Sequence, residues 1–388
     1  MIENGDNGSI LYIIAGWVRP EAFAQDTLLG VSGTTTFYQA ALMWPNYILG
    51  VLGIPLGIFY VWAYFPIAFA QMSGFYLLGR HLEFGRGFAL CIALISLPAI
   101  YTISGDLWGM FFSPLMRSAY GAALPWLLLM LVRSNSPYPF TLMLAAGLLN
   151  YLHLPSGPPI ALGLLLTHFL MSGFKYGWLR SSVLHGLGGM LYLAIVLPYI
   201  LLFATTTAAG DETALGMYDQ TVYGNVYLAF ENVRSLNGIQ YAASQAAKVA
   251  GLGFLTQIAK PLFSFIFLGG AAVLALVSLT ALLAGITKQT NKLGRVSNWG
   301  WVALFFISGI GSGVGLAALD QWVAALNDRA PLQVDLIRVT RFIVPAAYFG
   351  IFFGIIWLGQ FHIWLKRAGL ACTSVLTVLV WLIAFPST

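Results

Sequence analysis

The feature that most constrains this chain is the sorting of its charges. Long apolar runs carry almost no ionisable side chain, and the charged residues collect in the gaps between them. Hydrophobic residues make up 59% of the sequence and charged residues only 8%, against roughly 25% charged residues in a soluble domain. With a mean hydropathy of +0.83, the chain reads as an integral membrane protein. Apolar runs that can cross ~30 Å of hydrocarbon cover 48–79, 87–104, 118–132, 139–153, 158–174, 183–206, 259–287, 299–319, 341–365 and 369–386. That is about ten crossings, the shorter runs having soft boundaries.

Threading the chain through these runs puts Arg80, Arg86, Arg133, Lys175, Arg180, Lys288, Lys292, Arg295, Lys366 and Arg367 on one side, with Glu83 the only acid. The positive-inside rule makes that side cytoplasmic. The other side takes the remaining bases, Arg19, Arg117, Arg234, Lys248, Lys260, Arg329, Arg338 and Arg341, and the other twelve acids. A miscounted span would invert every later loop and scramble this partition. The net charge of +5 is therefore a topology signal and implies no nucleic acid.

Both ends then fall outside, and the long polar stretches 1–46, 105–117, 207–258 and 320–340 face the exterior. Cytoplasmic links such as Ser134–Pro139 barely turn the chain. The whole of 1–388 reads as one transmembrane domain, so chemistry faces outward. The 207–258 loop carries a small-residue stretch around Tyr241–Ala250 that can lie as an interfacial helix. The run Ile10–Val18 is too short to span and lacks the basic flank of a signal peptide. An upstream helix ahead of Met1 is expected, since residues 1–46 otherwise need translocation unaided.

Several features read as packing. Cys91 and Cys372 lie near cytoplasmic span ends, without metal-ligand spacing. Trp44, Trp108, Trp178, Trp299, Trp301, Trp322, Trp364 and Trp381 lie near span ends, as in an aromatic belt. His81, His168, His185 and His362 fall toward cytoplasmic ends and read as structural or interfacial. The glycines of Gly309–Gly313 sit inside a span, where small residues allow close helix approach. No acid falls at mid-membrane depth, which disfavours proton-driven transport, and no Walker motif suggests an ATP-driven one.

Three exterior elements carry candidate chemistry. Asp26, in Arg19-Pro-Glu-Ala-Phe-Ala-Gln-Asp26, is a carboxylate just above the membrane. It can act as a general base toward a hydroxyl or hold a divalent cation such as Mg or Mn, or it can be a helix cap. The hairpin Leu148-Leu-Asn-Tyr-Leu-His153-Leu-Pro-Ser-Gly-Pro-Pro159 places the only exterior histidine at its tip. His153 can donate to a phosphate or cap the turn. In Asp335-Leu-Ile-Arg338-Val-Thr-Arg341-Phe-Ile-Val-Pro345 the two arginines are three apart and share one face. Arginine forks suit phosphate oxygens; alternatively Asp335 pairs with Arg338 while Arg341 snorkels to head groups. Asp106 and Arg117 flank an aromatic loop that can join the same cavity.

In the order of these parts the chain resembles the GT-C-fold glycosyltransferases, and it looks closest to divergent bacterial members. The order is an exterior segment ending in an acid, a Pro/Gly hairpin with histidine between short spans, and a late Arg-x-x-Arg entering a helix. The resemblance implies an all-α, polytopic transmembrane bundle with short interfacial helices in exterior loops, in a bacterial inner (plasma) membrane with long loops toward the periplasm. It implies sugar transfer from a polyprenyl-phosphate-type lipid donor on the non-cytoplasmic face. Asp26 would be the base or metal partner and Arg338 and Arg341 the phosphate clamp. His153 and Arg117 would assist, with Asp106 and Glu21 in support. In the family a first transmembrane helix precedes the acid-bearing loop, matching the upstream helix expected here. The chain departs from the pattern in lacking an adjacent acidic pair, Glu21 and Asp26 being five apart. Two other readings stay open: a lipid-linked-glycan flippase, which needs a polar path between both faces, and an inactive assembly subunit.

Overall fold

A computed structural model describes residues 6–25, 41–98, 100–101, 107–110, 116–207, 269–270, 272–280, 283, 290–326, 339 and 341–384. The described residues are helical apart from a pair of two-residue antiparallel strands, Ile100–Tyr101 and Leu107–Trp108. In chain order the helices are α1 (Asp6–Val18), α2 (Met43–Val51), α3 (Ile58–His81), α4 (Arg86–Ile95), α5 (Met116–Arg133), α6 (Phe140–Asn150), α7 (Gly157–Tyr176) and α8 (Trp178–Thr207). A helical stretch at 272–280, α9, follows. Then come α10 (Thr290–Leu326), α11 (Ile343–Leu358) and α12 (Ile363–Ala384).

Five of these contain segments long and apolar enough to cross a membrane: Ile58–His81, Leu154–Tyr176, Trp178–Leu202, Asn298–Asp320 and Ile363–Trp381. Arg86–Ile95, Phe140–Asn150 and Ile343–Leu358 are apolar but shorter. Large side chains such as Phe65, Phe69 and Leu179 stand outward from the bundle; on membrane helices such outward apolar faces are solvated by lipid. The 13 residues of α1 rise only about 20 Å, short of the hydrocarbon thickness.

Three expected runs divide differently, and in the run 87–104 the helix α4 ends at Ile95 before the strand Ile100–Tyr101. The run 48–79 breaks between α2 and α3, where Gly53 and Gly57 both take positive φ, a conformation only glycine adopts without strain. The run 341–365 ends early: α11 stops at Leu358, the chain turns over Gly359–Phe361, and α12 starts at Ile363. Lys366 and Arg367 therefore lie inside α12 rather than in a link.

The core is centred on α7, which packs against α6, α8 and, most extensively, α10. At the α7–α10 crossing a Cβ on Gly163 would stand 2.7 Å from Gly309 Cα, so the two backbones nearly touch. Ser308 Oγ reaches the Gly163 carbonyl at 3.3 Å, as interhelical hydroxyls do in membranes. On the other flank α3 packs against α4 and α5, and α11 against α4, α10 and α12. Phe84, Trp299, Phe352 and Phe353 interlock there, Trp299 stacking on Phe353 at 4.8 Å between ring centroids.

The tryptophans divide into two groups. Trp44, Trp178, Trp322 and Trp364 are exposed, as belt residues should be, whereas Trp108, Trp299 and Trp301 are buried. Two of the buried indoles satisfy backbone carbonyls freed at helix ends: Trp299 Nε1 donates to Leu82 O at 2.9 Å and Trp108 Nε1 to Ser96 O at 3.1 Å. Cys91 is buried and Cys372 exposed, both as free thiols.

Candidate functional site

The α6–α7 hairpin builds the centre of the site. Helix α6 ends at Asn150; Tyr151 and Leu152 turn the chain, His153 takes an extended conformation, and Leu154–Ser156 form one 3₁₀ turn before α7. Pro158 and Pro159 occupy the first turn of α7, where their missing N–H groups cost nothing and their fixed φ suits a helix start. Gly157 must be small, because a Cβ there would overlap the Asn150 amide. The hairpin is tied to its surroundings by Ala41 N donating to Tyr151 O at 2.8 Å and Tyr151 Oη donating to Ile195 O at 2.8 Å.

Arg341 meets this hairpin from the start of α11. It stands in a 3₁₀ turn just before Ile343, and its side chain is 1% exposed. Its Nη2 donates to Ser156 Oγ and lies 3.1 Å from His153 Nδ1, while Ser156 Oγ is 3.0 Å from the same Nδ1. The proton positions follow from the donor inventory. A guanidinium only donates, so His153 Nδ1 presents its lone pair and the imidazole proton sits on Nε2. Ser156 accepts from Arg341, and its own proton shares the single Nδ1 lone pair with the Arg341 N–H. The Arg341 guanidinium also lies 5.3 Å from the Phe342 ring centroid, a cation–π distance.

Around this triangle lie neutral polar groups at the same end of the bundle. Tyr120, fully buried on α5, is within electrostatic range of Arg341 and of Tyr192, and its ring packs edge-on against Phe342 at 6.4 Å. Tyr192 Oη donates to Asn150 Oδ1 at 3.2 Å. Among the described residues, the Tyr120 hydroxyl and Asn150 Nδ2 are buried without a hydrogen-bond partner. Alongside runs an apolar groove of about 430 Å³, lined by Pro66, Ala70, Ala119, Ala122, Leu149 and Leu152 among others. It shares α5 and α6 with the polar cluster, Leu149 and Leu152 flanking Asn150 and His153 in sequence.

Of the residues expected in the site, the structure brings together His153 and Arg341, 188 residues apart in sequence. Arg117 is half-buried in the first turn of α5, three residues before Tyr120, and so toward the same face. Glu21 is exposed in the short 3₁₀ helix Pro20–Phe23. Asp26, Asp106 and Arg338 lie outside the described residues. Sequence reasoning missed Ser156, Asn150, Tyr120 and Tyr192. Ser156 was findable as the hydroxyl three residues after His153 in a single turn; the two tyrosines sit in apolar helices and give no signal. Among the described residues no three histidine, cysteine or acidic side chains converge as metal ligands.

No family model, no curated protein and no solved structure matches this chain.

Proposed function

We propose that this membrane protein transfers a sugar from a polyprenyl-phosphate-type lipid donor on the non-cytoplasmic face. The observation that carries this reading is the Arg341–His153–Ser156 triangle: a buried guanidinium, oriented by two side chains of one turn, where the charge distribution puts the exterior membrane boundary. Guanidinium is the side chain best matched to phosphate oxygens. The neighbouring apolar groove suits the hydrocarbon part of such a donor, its walls being alanine, leucine and proline.

In this reading the bond between the anomeric carbon and the phosphate oxygen breaks as the acceptor oxygen attacks from the opposite face. Asp26 takes the acceptor proton. Arg341, with Arg338 three residues earlier, takes up the negative charge that develops on the departing lipid phosphate; Arg117 assists at the rim, and Glu21 and Asp106 add negative potential around the acceptor.

The test is turnover of a polyprenyl-phosphate-linked sugar by the full-length protein in proteoliposomes, read as release of the free lipid phosphate. Arg341→Gln is expected to lower the rate about 100-fold or more, the usual cost of removing one preorganised charge-stabilising donor, and Asp26→Asn to abolish it. Wild-type protein that carries the intact donor across the bilayer without cleaving it is a flippase. One that binds the lipid without either activity is an assembly subunit.

A further inference from the structure

A second polar cluster sits at the opposite end of the bundle, where the charge distribution places the cytoplasm. Ser134 opens the turn after α5, His168 lies on α7 and His185 on α8. Ser134 Oγ is 2.9 Å from His168 Nε2, His168 Nδ1 is 2.7 Å from His185 Nε2, and His185 Nδ1 is 2.7 Å from the Ser181 carbonyl oxygen. Both imidazoles are buried, whereas Ser134 is half-exposed.

Each proton in this chain is dictated by its far end. A carbonyl oxygen only accepts, so His185 Nδ1 carries hydrogen and, in the neutral ring, His185 Nε2 presents a lone pair. His168 Nδ1 must then be the donor, which leaves the His168 Nε2 lone pair aimed at the Ser134 hydroxyl. The Ser136 carbonyl, at 3.4 Å from Ser134 Oγ, is the poorer acceptor for the serine and also lies beside the His168 ring. The chain ends at a backbone carbonyl that cannot pass a proton on, so it does not conduct across the membrane. It does fix one tautomer of His168 and one direction of the serine proton. Hydroxyl, base and orienting group held within hydrogen-bond reach are the arrangement that activates a nucleophilic serine. Phe169 walls His185 at 5.4 Å between ring centroids, and the exposed Arg133, Lys175 and Arg180 make the surrounding rim basic.

We propose that Ser134 is a nucleophile toward activated acyl esters at this membrane boundary, with His168 as its base and His185 as a positioning residue. Ser134 Oγ bonds to the acyl carbon as the ester C–O bond breaks. The serine proton passes to His168 Nε2 and from there to the departing alkoxide, leaving an O-acyl serine and a free alcohol; water then releases the carboxylic acid and restores the hydroxyl. None of these residues belongs to the Arg341 cluster, so this activity stands or falls independently of sugar transfer.

The experiment is covalent labelling of the purified full-length protein in detergent by an alkyl fluorophosphonate, with the labelled peptide identified by mass spectrometry. Label on Ser134, lost in Ser134→Ala and slowed about 100-fold in His168→Gln, is the expected result, because a general base contributes a factor of that order. His185→Gln is expected to slow labelling and also move the midpoint of its pH–rate profile; a merely structural role would leave the midpoint in place. Monodisperse wild-type protein that takes no label at Ser134 overturns the proposal. So does a labelling rate unchanged by His168→Gln. Because the wild-type result is decisive alone, a variant that fails to fold does not shelter the idea.

Discussion

Replacing Ser156 by alanine tests whether the hairpin and α11 are joined through a buried charge. Ser156 is 0% exposed and Arg341 1% exposed, so water cannot replace the hydroxyl when it is removed. Two bonds disappear: Arg341 Nη2–H to Ser156 Oγ, and Ser156 Oγ–H to His153 Nδ1. A hydrogen bond to a charged group contributes about 1.5–3 kcal/mol and a neutral one about 1 kcal/mol. The Arg341–His153 contact survives and absorbs part of the loss, so the expected destabilisation is about 2–3 kcal/mol. Equilibrium unfolding in mixed micelles, followed by tryptophan fluorescence, measures it. The decisive measurement is the double-mutant cycle with Arg341→Met. Once the guanidinium is gone, Ser156→Ala removes only the serine–histidine bond, and its cost falls to about 1 kcal/mol. A coupling of at least about 1 kcal/mol between the two positions is therefore expected. Additive effects would show that the serine and the arginine do not share a bond, and the triangle would dissolve with the phosphate clamp built on it.

Gly163→Val drives a side chain to within 2.7 Å of Gly309 Cα. Together with the loss of the Ser308 contact it is expected to cost about 2–4 kcal/mol, seen as a lowered thermal midpoint, and Gly309→Ala is milder because its own added Cβ meets Ile160 Cδ1 at 3.6 Å and Pro159 O at 3.9 Å, ordinary contact distances. Trp299→Phe keeps most of the ring stacking but strands the Leu82 carbonyl at the end of α3, an expected loss of about 1–2 kcal/mol by the same assay. Gly157→Ala forces the Asn150 amide away from Tyr192, and about 1–3 kcal/mol of stability should go with it; restoration by Asn150→Gly in the same chain would confirm the steric cause.

What the sequence could reveal depended on whether a signal was local. The turn Ser134–Pro139 falls between α5 and α6 as expected, and the Pro/Gly hairpin around His153 separates α6 from α7, because proline and glycine punctuate a chain wherever they stand. The small residues near Gly309 were legible as a site of close approach, although nothing in the sequence said that Gly163 was the partner. The tryptophans show the limit. An indole at a span end reads the same whether it faces lipid or core, and burial of Trp108 and Trp299 is decided by neighbours such as Phe342 and Phe353 in a different element, far along the sequence. The early end of α11 was hidden for a related reason: Gly359-Gln360-Phe361-His362 is apolar enough to continue a span, and the turn is stabilised by backbone bonds such as Gly359 N to Ile355 O at 2.9 Å. Arg341 was assigned to a phosphate site from its spacing to Arg338, yet what holds it is a serine and a histidine from another hairpin.

The two polar clusters solve different problems, and their composition shows which. A neutral chain of two imidazoles and a serine can be buried at modest cost because every proton has an acceptor and no net charge is desolvated. The hairpin cluster contains a guanidinium, whose burial costs several kcal/mol and which a histidine and a hydroxyl help to satisfy. Neutral tyrosine and asparagine stand beside this arginine. On the proposed function the cation meets the negative charge of a lipid phosphate. Arg341→Met protein that is more stable but no longer binds a lipid phosphate would carry that explanation; one that is more stable and binds equally well would leave the arginine without a role.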